Sequence, residues 1–320
     1  MLFRSYSLTW LPEAVRNLSH CGVDVTHTYI QSKCGMGRLA HMTAGGVSGT
    51  VSISTAGENV GREAHTYLSH IVRSYEMASP PALVFFLTDS YHAHAAVPKQ
   101  KRRVPLCTMA AAAAHGVARF GCGQLPATLS HGRGTSAWHL TDLLQAFGAN
   151  EHAELAEPWD QTARLWAKGS SAPQHPTGRD RGTTRAPFAT PEHPTLGSWV
   201  KRLLPNLTLP PVVPVCYGGS FVASGGAVRH VGLASWQQLL AQTSRGDRII
   251  EAHYMERLWG ILLSRLPTAR EAARLICAAS LKNERNETLL PGSATYANLH
   301  MTSYVGALFR CVCTCTAEPQ

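Results

Sequence analysis

An α/β fold with an open, mainly parallel sheet flanked by helices is what this sequence predicts. Three observations carry the expectation. Val23, Val25, His27 and Tyr29 alternate with Asp24, Thr26 and Thr28 over residues 23–31, the period-two pattern of a half-buried strand. Ala64, Tyr67, Leu68, Ile71, Val72 and Tyr75 then recur at helical spacing within residues 58–75, giving one apolar stripe. The run ALVFFLTD, from Ala82 to Asp89, is apolar and of strand length, as for a strand covered on both faces. Strand, helix and strand in that order argue for helices layered on a parallel sheet.

The remaining elements follow in order. SLTWLPEAVRNL reads as a short helix, with Ser7 or Thr9 to cap it and Pro12 in its first turn. SKCGMG turns the chain, and GTVSISTAG is a strand-like run ending at Gly57. Asn59 is the expected cap of the helix that follows, and SPP stops that helix. CTMAAAAAHGVARF and SAWHLTDLLQAFG are helix-like. Residues 151–195 change character, becoming rich in Pro, Gly, Ser, Thr and Arg, and are expected to form a low-complexity, disordered surface insertion. That divides one domain into an N-terminal α/β half, 1–150, and a C-terminal half, 196–320, ending in an irregular tail. In the second half, PPVVPVCYGGSFVAS suits an extended sheet edge, and Gly218 with Gly219 permits a sharp turn or a close backbone approach. Two helices follow, SWQQLLAQTSRGD and RIIEAHYMERLWGILLSRL, the second ended by Pro267. Its pattern places Glu251, Tyr254, Met255, Leu258, Trp259, Leu262 and Leu263 on one face, and His253, Glu256, Arg257 and Gly260 on the other.

Composition excludes several classes. With 320 residues, 44% hydrophobic and 15% charged, the chain is globular rather than disordered. Much of the net charge of +9 sits in Lys99 to Arg103 and Gly178 to Arg185, loop-like segments that read first as solvated. A phosphate-bearing ligand or a membrane surface comes next. Nucleic acid is not expected, because no aromatics interleave the basic residues. No apolar run approaches the ~20 residues of a membrane span. Nine cysteines are too few and too scattered for a disulfide scaffold, and an odd count leaves at least one thiol unpaired within the chain. Cys311, Cys313 and Cys315 lack C-x-x-C spacing. The start, MLFRSYSLTWL, is too short and polar for a signal peptide. Sequons at Asn17, Asn206 and Asn286 would matter only in a secreted protein. The chain contains no G-x-S-x-G, P-loop or G-x-G-x-x-G motif.

Three segments hold candidate functional residues. In the first long helix, Glu63, Thr66 and His70 align, with Arg62 alongside. The backbone N–H groups of Val60 to Arg62 form an anion site that Gly61 lets a ligand approach; the alternative is a capped surface helix with an Arg–Glu pair. Asp89, just beyond an apolar strand, sits where ligands bind in open α/β sheets, as a metal-holding carboxylate or as a cap. EAHYMERLWG concentrates Glu251, His253, Glu256 and Arg257, with Glu251 on the apolar face, where burial raises a carboxylate's pKa. It reads either as a general base or as an internal Glu–Arg pair.

Together these segments resemble a eukaryotic family, a domain of unknown function found mainly in fungi and algae. The motifs that carry the resemblance are RSYSLTWL (Arg4 to Leu11), YIQSKCG (Tyr29 to Gly35), NVGREAHTYLSH (Asn59 to His70), YGGSFVAS (Tyr217 to Ser224) and EAHYMERLWG (Glu251 to Gly260). They keep the family order over about residues 4 to 265. That family's layout looks like that of nucleotide-sugar glycosyltransferases of the A-type fold, which implies several roles. Asp89 would hold Mn²⁺ or Mg²⁺; Asn59, Gly61, Arg62, Glu63 and His70 would shape the donor pocket. Glu251 or Glu256 would be the catalytic base, and Tyr217, Gly218, Gly219, His253 and Arg257 would meet the acceptor. The implied partners are a nucleotide-sugar, or another phosphate-bearing small molecule, and a carbohydrate acceptor. A non-catalytic carbohydrate- or phosphate-binding protein is the alternative. The chain departs from the pattern twice: RSYS lacks the Asn-Glu expected after a first strand, which itself looks cut short at Met1, and LTDSYHAH contains no D-x-D. The secretory pathway is implied if an anchor precedes Met1. The spatial expectation is that the front of residues 58–75, the strand tip at Asp89 and the helix holding Glu251 and Glu256 border one hollow.

Overall fold

A computed structural model describes residues 10–33, 50–57, 60–77, 80–88, 103–126, 143–156, 192–246 and 249–276. Helix α1 (Leu11–His20) carries a proline in its first turn and buries Ala14, Val15 and Leu18; Trp10 is its N-cap, without a side-chain cap bond. Strands β1 (His27–Lys33) and β2 (Thr50–Gly57) pair in parallel. β1 begins four residues later than the alternation predicts. Helix α2 (Arg62–Ser74) buries Ala64, Tyr67, Leu68 and Ile71, while Val72 and Tyr75 pack partly buried beside them, so the apolar stripe faces the core. Its last turn is held from outside: Arg229 donates to the Ser74 carbonyl at 2.7 Å and lies 4.1 Å above the Tyr75 ring.

Strands β3 (Leu83–Phe86), β4 (Phe120–Cys122) and β7 (Phe221–Ser224) form a three-stranded sheet in the order β3-β7-β4, antiparallel at both joints. Strands β5 (Glu151–Glu154) and β6 (Val212–Val215) make a second antiparallel pair. The open, mainly parallel sheet of A-type transferase character is therefore corrected. Among the described strands, only β1 and β2 run parallel, and the sheets have two or three strands. The apolar run of β3 correctly implies cover on both faces. Phe86, Phe120 and Phe221 point to one side, with Phe86–Phe221 and Phe120–Phe221 ring centroids 4.8 and 5.5 Å apart, under Tyr67 and Trp259. Leu83, Phe85 and Val222 point to the other, against Met109, Ala110 and Ala113 of α3 (Leu106–His115) and Ala14 and Leu18 of α1. Two-sided cover says nothing of strand direction, which is set by the partner; here that partner is β7, more than a hundred residues away in sequence.

The expected insertion also needs a correction. Its first residues, 151–154, are β5, paired with β6; residues 157–191 lie outside the described residues. Helix α4 (Leu196–Leu203) starts with a capping box in which Thr195 and Ser198 satisfy each other's backbone N–H groups. Helices α5 (Gly225–Val231) and α6 (Leu233–Thr243) lead to α7 (Ile250–Leu263). Every residue of α7 is buried, on the face with His253, Glu256 and Arg257 as well as on the apolar one. Gly260 lets α7 lie against β6, since a Cβ there would be 3.1 Å from the Pro214 carbonyl.

Two disulfides add covalent ties that cysteine spacing does not disclose. Cys21–Cys107 joins the end of α1 to α3, and Cys122–Cys216 joins β4 to the residue after β6. They close sequence separations of 86 and 94 residues. In the chain-entropy model, loops of that size are worth about 4–5 kcal/mol each. Among the described residues, no helix is long and apolar enough to cross a membrane.

Candidate functional site

The residues that join β6 to β7, 216–220, are held from every side. Gly218 (φ +106°) and Gly219 (φ +66°) occupy the left-handed region, where a side chain would strain the backbone. Both peptide groups of Tyr217 meet Asn150: its N–H donates to Oδ1 at 2.9 Å, and its carbonyl accepts from Nδ2 at 3.0 Å. The Gly218 N–H donates to Glu256 Oε1 at 3.0 Å, and the Gly219 carbonyl accepts from the Tyr67 hydroxyl at 2.7 Å. Ser220 accepts at its carbonyl from the Gly123 N–H at 2.8 Å, and its hydroxyl lies 3.3 Å from both the N–H and the hydroxyl of Thr88. Cys216 is bonded to Cys122. A turn with its backbone groups so engaged is preorganised, because little conformational freedom remains for a ligand to remove.

Glu256 is the floor of this turn. Only 7% of it is exposed, and its Oε2 lies 3.9 Å from His253 Nδ1. Burial acts most strongly, favouring the neutral acid. The hydrogen bonds from His253 and the Gly218 N–H, with the charges of His253 and Arg257, outweigh it and hold the carboxyl below its ordinary range. Arg257 donates to the His253 carbonyl at 3.1 Å, and its guanidinium lies 5.5 Å from the centre of the Tyr217 ring. The buried charge is thus matched by donors and cations beneath the turn.

The rim is more open. Gly218 is exposed, while Tyr217, Gln124, Thr88 and Glu63 are half-buried. Glu63, in the first turn of α2, lies close enough to Gly219 that an added Cβ would meet its Oε1 at 3.6 Å; the same Cβ would be 3.0 Å from Thr88 Cγ2. The Gln124 amide covers Gly218, 2.4 Å from where a Cβ would stand. The front of α2, the segment beyond β3 and the middle of α7 therefore meet at one turn, although they are far apart in sequence.

Other expected site residues fall elsewhere. Asn59 and Asp89 lie outside the described residues, as does the Arg62 side chain; Thr88 is the last described residue before Asp89. Gly61, not Asn59, is the N-cap of α2, and its N–H donates to the Gly246 carbonyl at 2.7 Å. That N–H is not open to a ligand. Gly61 admits the end of α6 instead: an added Cβ would sit 2.2 Å from the Thr243 carbonyl oxygen. His70 lies two turns from Glu63, stacked on Tyr29 at 5.2 Å, with burial first and the charges of His27 and Arg73 next lowering its pKa. Glu251 is fully buried at the start of α7 and ion-paired with Arg245, which also reaches Glu192 at 3.3 Å. Burial raises its pKa despite that partner. His253 is buried and faces Glu256, so it and Arg257 support the turn from below without presenting a surface to an acceptor.

The sequence reading missed Tyr67, Thr88, Gln124, Asn150 and Ser220, as well as the Cys122–Cys216 bridge. Tyr67 had a signal, a hydroxyl on an otherwise apolar stripe, which needs a partner when buried. Asn150 had none, since only the fold brings it to the turn, whereas Ser220 follows Gly219 directly in sequence. Among the described residues, no three His, Cys, Asp or Glu side chains are placed to share a metal ion. Among the described residues, the carboxylates at the turn are Glu256, engaged with Gly218, and Glu63.

Comparison with models of protein families, with curated proteins and with solved structures finds no match for this chain.

Proposed function

We propose that this chain is a glycosyltransferase-like enzyme that works at the Gly218–Gly219 turn, moving a sugar from a nucleotide-diphosphate donor to a carbohydrate or glycoconjugate acceptor. One observation carries the reading: Glu63, Thr88 and Glu256, from the three segments that hold the candidate residues, meet at a single preorganised turn. The base then differs from the one the motifs imply. Glu251 is sealed against Arg245, and Glu256 is committed to the Gly218 N–H, whereas Glu63 is half-open beside Gly219. In this reading Glu63 accepts the proton of the acceptor hydroxyl as that oxygen bonds to the anomeric carbon and the diphosphate leaves with the electron pair of its C–O bond. Asp89 would hold Mn²⁺ or Mg²⁺, which would supply charge neutralisation for the leaving diphosphate.

The engagement of Glu251 and Glu256 favours a second reading, a non-catalytic carbohydrate- or phosphate-binding protein. The test is thermal stability of the full chain with uridine and guanosine diphosphates and with simple sugars, each with and without Mn²⁺, followed by sugar-nucleotide turnover. The first reading expects a nucleotide-dependent rise in Tm, and turnover lost at least a hundredfold in Glu63→Gln with folding unchanged. A rise with sugars alone, indifferent to nucleotide and metal, selects the second reading. No rise with any nucleotide overturns the first.

A further inference from the structure

We infer that Asn206 is an N-glycosylation site, on a chain that forms its disulfides in an oxidising compartment. The inference stands independently of the transfer reaction proposed above. Cys122 and Cys216 are 5% and 0% exposed, and their Cα atoms are 5.5 Å apart; Cys21 and Cys107 have Cα atoms 6.0 Å apart. Both spacings suit a disulfide. A bridge buried behind the β6–β7 turn forms while the core is closing, so the oxidant must be present during folding. Each bridge gives up two electrons and two protons from a pair of thiols, by exchange with a disulfide-bearing oxidoreductase. Such conditions belong to secretory and extracellular compartments rather than to a reducing cytosol.

In those compartments, Asn-x-Thr sequences meet the transferase that modifies asparagine. Asn206-Leu207-Thr208 follows α4 in a turn, with Asn206 and Thr208 both exposed. Leu207 between them packs against the main core, and its N–H donates to the Leu204 carbonyl at 2.9 Å. The apolar residue is anchored inward while the acceptor amide and the threonine hydroxyl remain outside, so a glycan can be carried without disturbing packing. Asn17-Leu18-Ser19 is a poorer place. It lies within α1, the Ser19 hydroxyl donates to the Val15 carbonyl at 3.2 Å, and the Asn17 carbonyl is 3.2 and 3.3 Å from the two sulfurs of the Cys21–Cys107 bridge. Modification forms a bond from Asn206 Nδ2 to the first sugar carbon of a lipid diphosphate-linked oligosaccharide. The bond from that carbon to the diphosphate breaks, the lipid diphosphate leaves, and one amide proton is lost.

The test uses the full chain from eukaryotic cells that express its complete reading frame, with free thiols alkylated at lysis. Peptide:N-glycosidase should remove a glycan from Asn206 and leave Asp at that position, read by peptide mass. Asn206→Gln and Thr208→Ala should each lack that glycan, while Thr208→Ser retains it. All three variants should keep the Cys21–Cys107 and Cys122–Cys216 cross-linked peptides, which shows that they fold. Unmodified Asn206 in a chain whose bridges are formed overturns the glycosylation site. Alkylated Cys122 and Cys216 overturn the compartment, and with it the inference.

Discussion

Glu251 and Glu256 stand five positions apart on one buried helix, yet they are held in opposite ways. Glu251, at the start of α7, pairs with Arg245, a side chain one-third exposed and shared with Glu192. Glu256 sits under the β6–β7 turn with a backbone donor above it, His253 beside it and Arg257 next to it. Burial raises the pKa of the first, while donors and cations hold down that of the second. Burial alone therefore does not decide whether a carboxylate is charged; the balance with the donors and charges around it does.

The largest test of this contrast is truncation. Glu256→Ala leaves the Gly218 N–H and the neighbouring cations without their acceptor, and should cost about 3–5 kcal/mol in chemical denaturation. Glu251→Ala also removes a desolvated carboxylate, and Arg245 keeps Glu192, so the expected cost is within about 1 kcal/mol. Equal losses would break the contrast. Asn150→Ala falls between them: it strips both bonds from the Tyr217 peptide groups, about 1–3 kcal/mol by the same measurement. An effect near zero would mean that the turn is set by Glu256 and the disulfide without Asn150.

A smaller effect appears in the pH dependence, and its sign separates the two carboxylates. Glu256 has a depressed folded pKa, so its stabilisation is present above the ordinary value of 4.5 and is lost as pH falls through the folded value. Glu256→Gln should thus be less stable than the parent at neutral pH, with the gap narrowing on acidification. Glu251 has a raised folded pKa, so its contribution is greatest below 4.5 and declines as pH rises through the folded value. Glu251→Gln should gain on the parent over that rise. Urea midpoints across pH 3–8 check both, and parallel curves would dissolve the distinction. Smallest of all should be Glu63→Gln, within about 0.5 kcal/mol, because that half-open carboxylate is proposed to serve a ligand rather than the fold.

Several of the parts in this contrast were legible in the sequence. The stripe from Ala64 to Tyr75 reports a buried face, and Gly218-Gly219 reports a turn whose backbone needs positive φ. EAHYMERLWG reports charged groups that would be buried at a cost. Alternation and helical period separate the two faces of α7 but cannot report that a second layer also covers the one with His253, Glu256 and Arg257. The Gly61 region was expected to receive an anion, but a distant element, the end of α6, fills that space.

The sequence by itself determined local matters: where the chain turns at Gly218-Gly219, where α2 and α7 run, and that β3 is covered on both faces. These follow from interactions within a few residues and from the period of burial. Only the tertiary structure decided that β3 runs antiparallel to β7, that Cys122 pairs with Cys216, that Glu63 rather than Glu251 adjoins the turn, and that Asn150 clasps Tyr217. Each of these joins residues separated by tens to hundreds of positions, and such pairings depend on the packing of the whole core rather than on any local pattern.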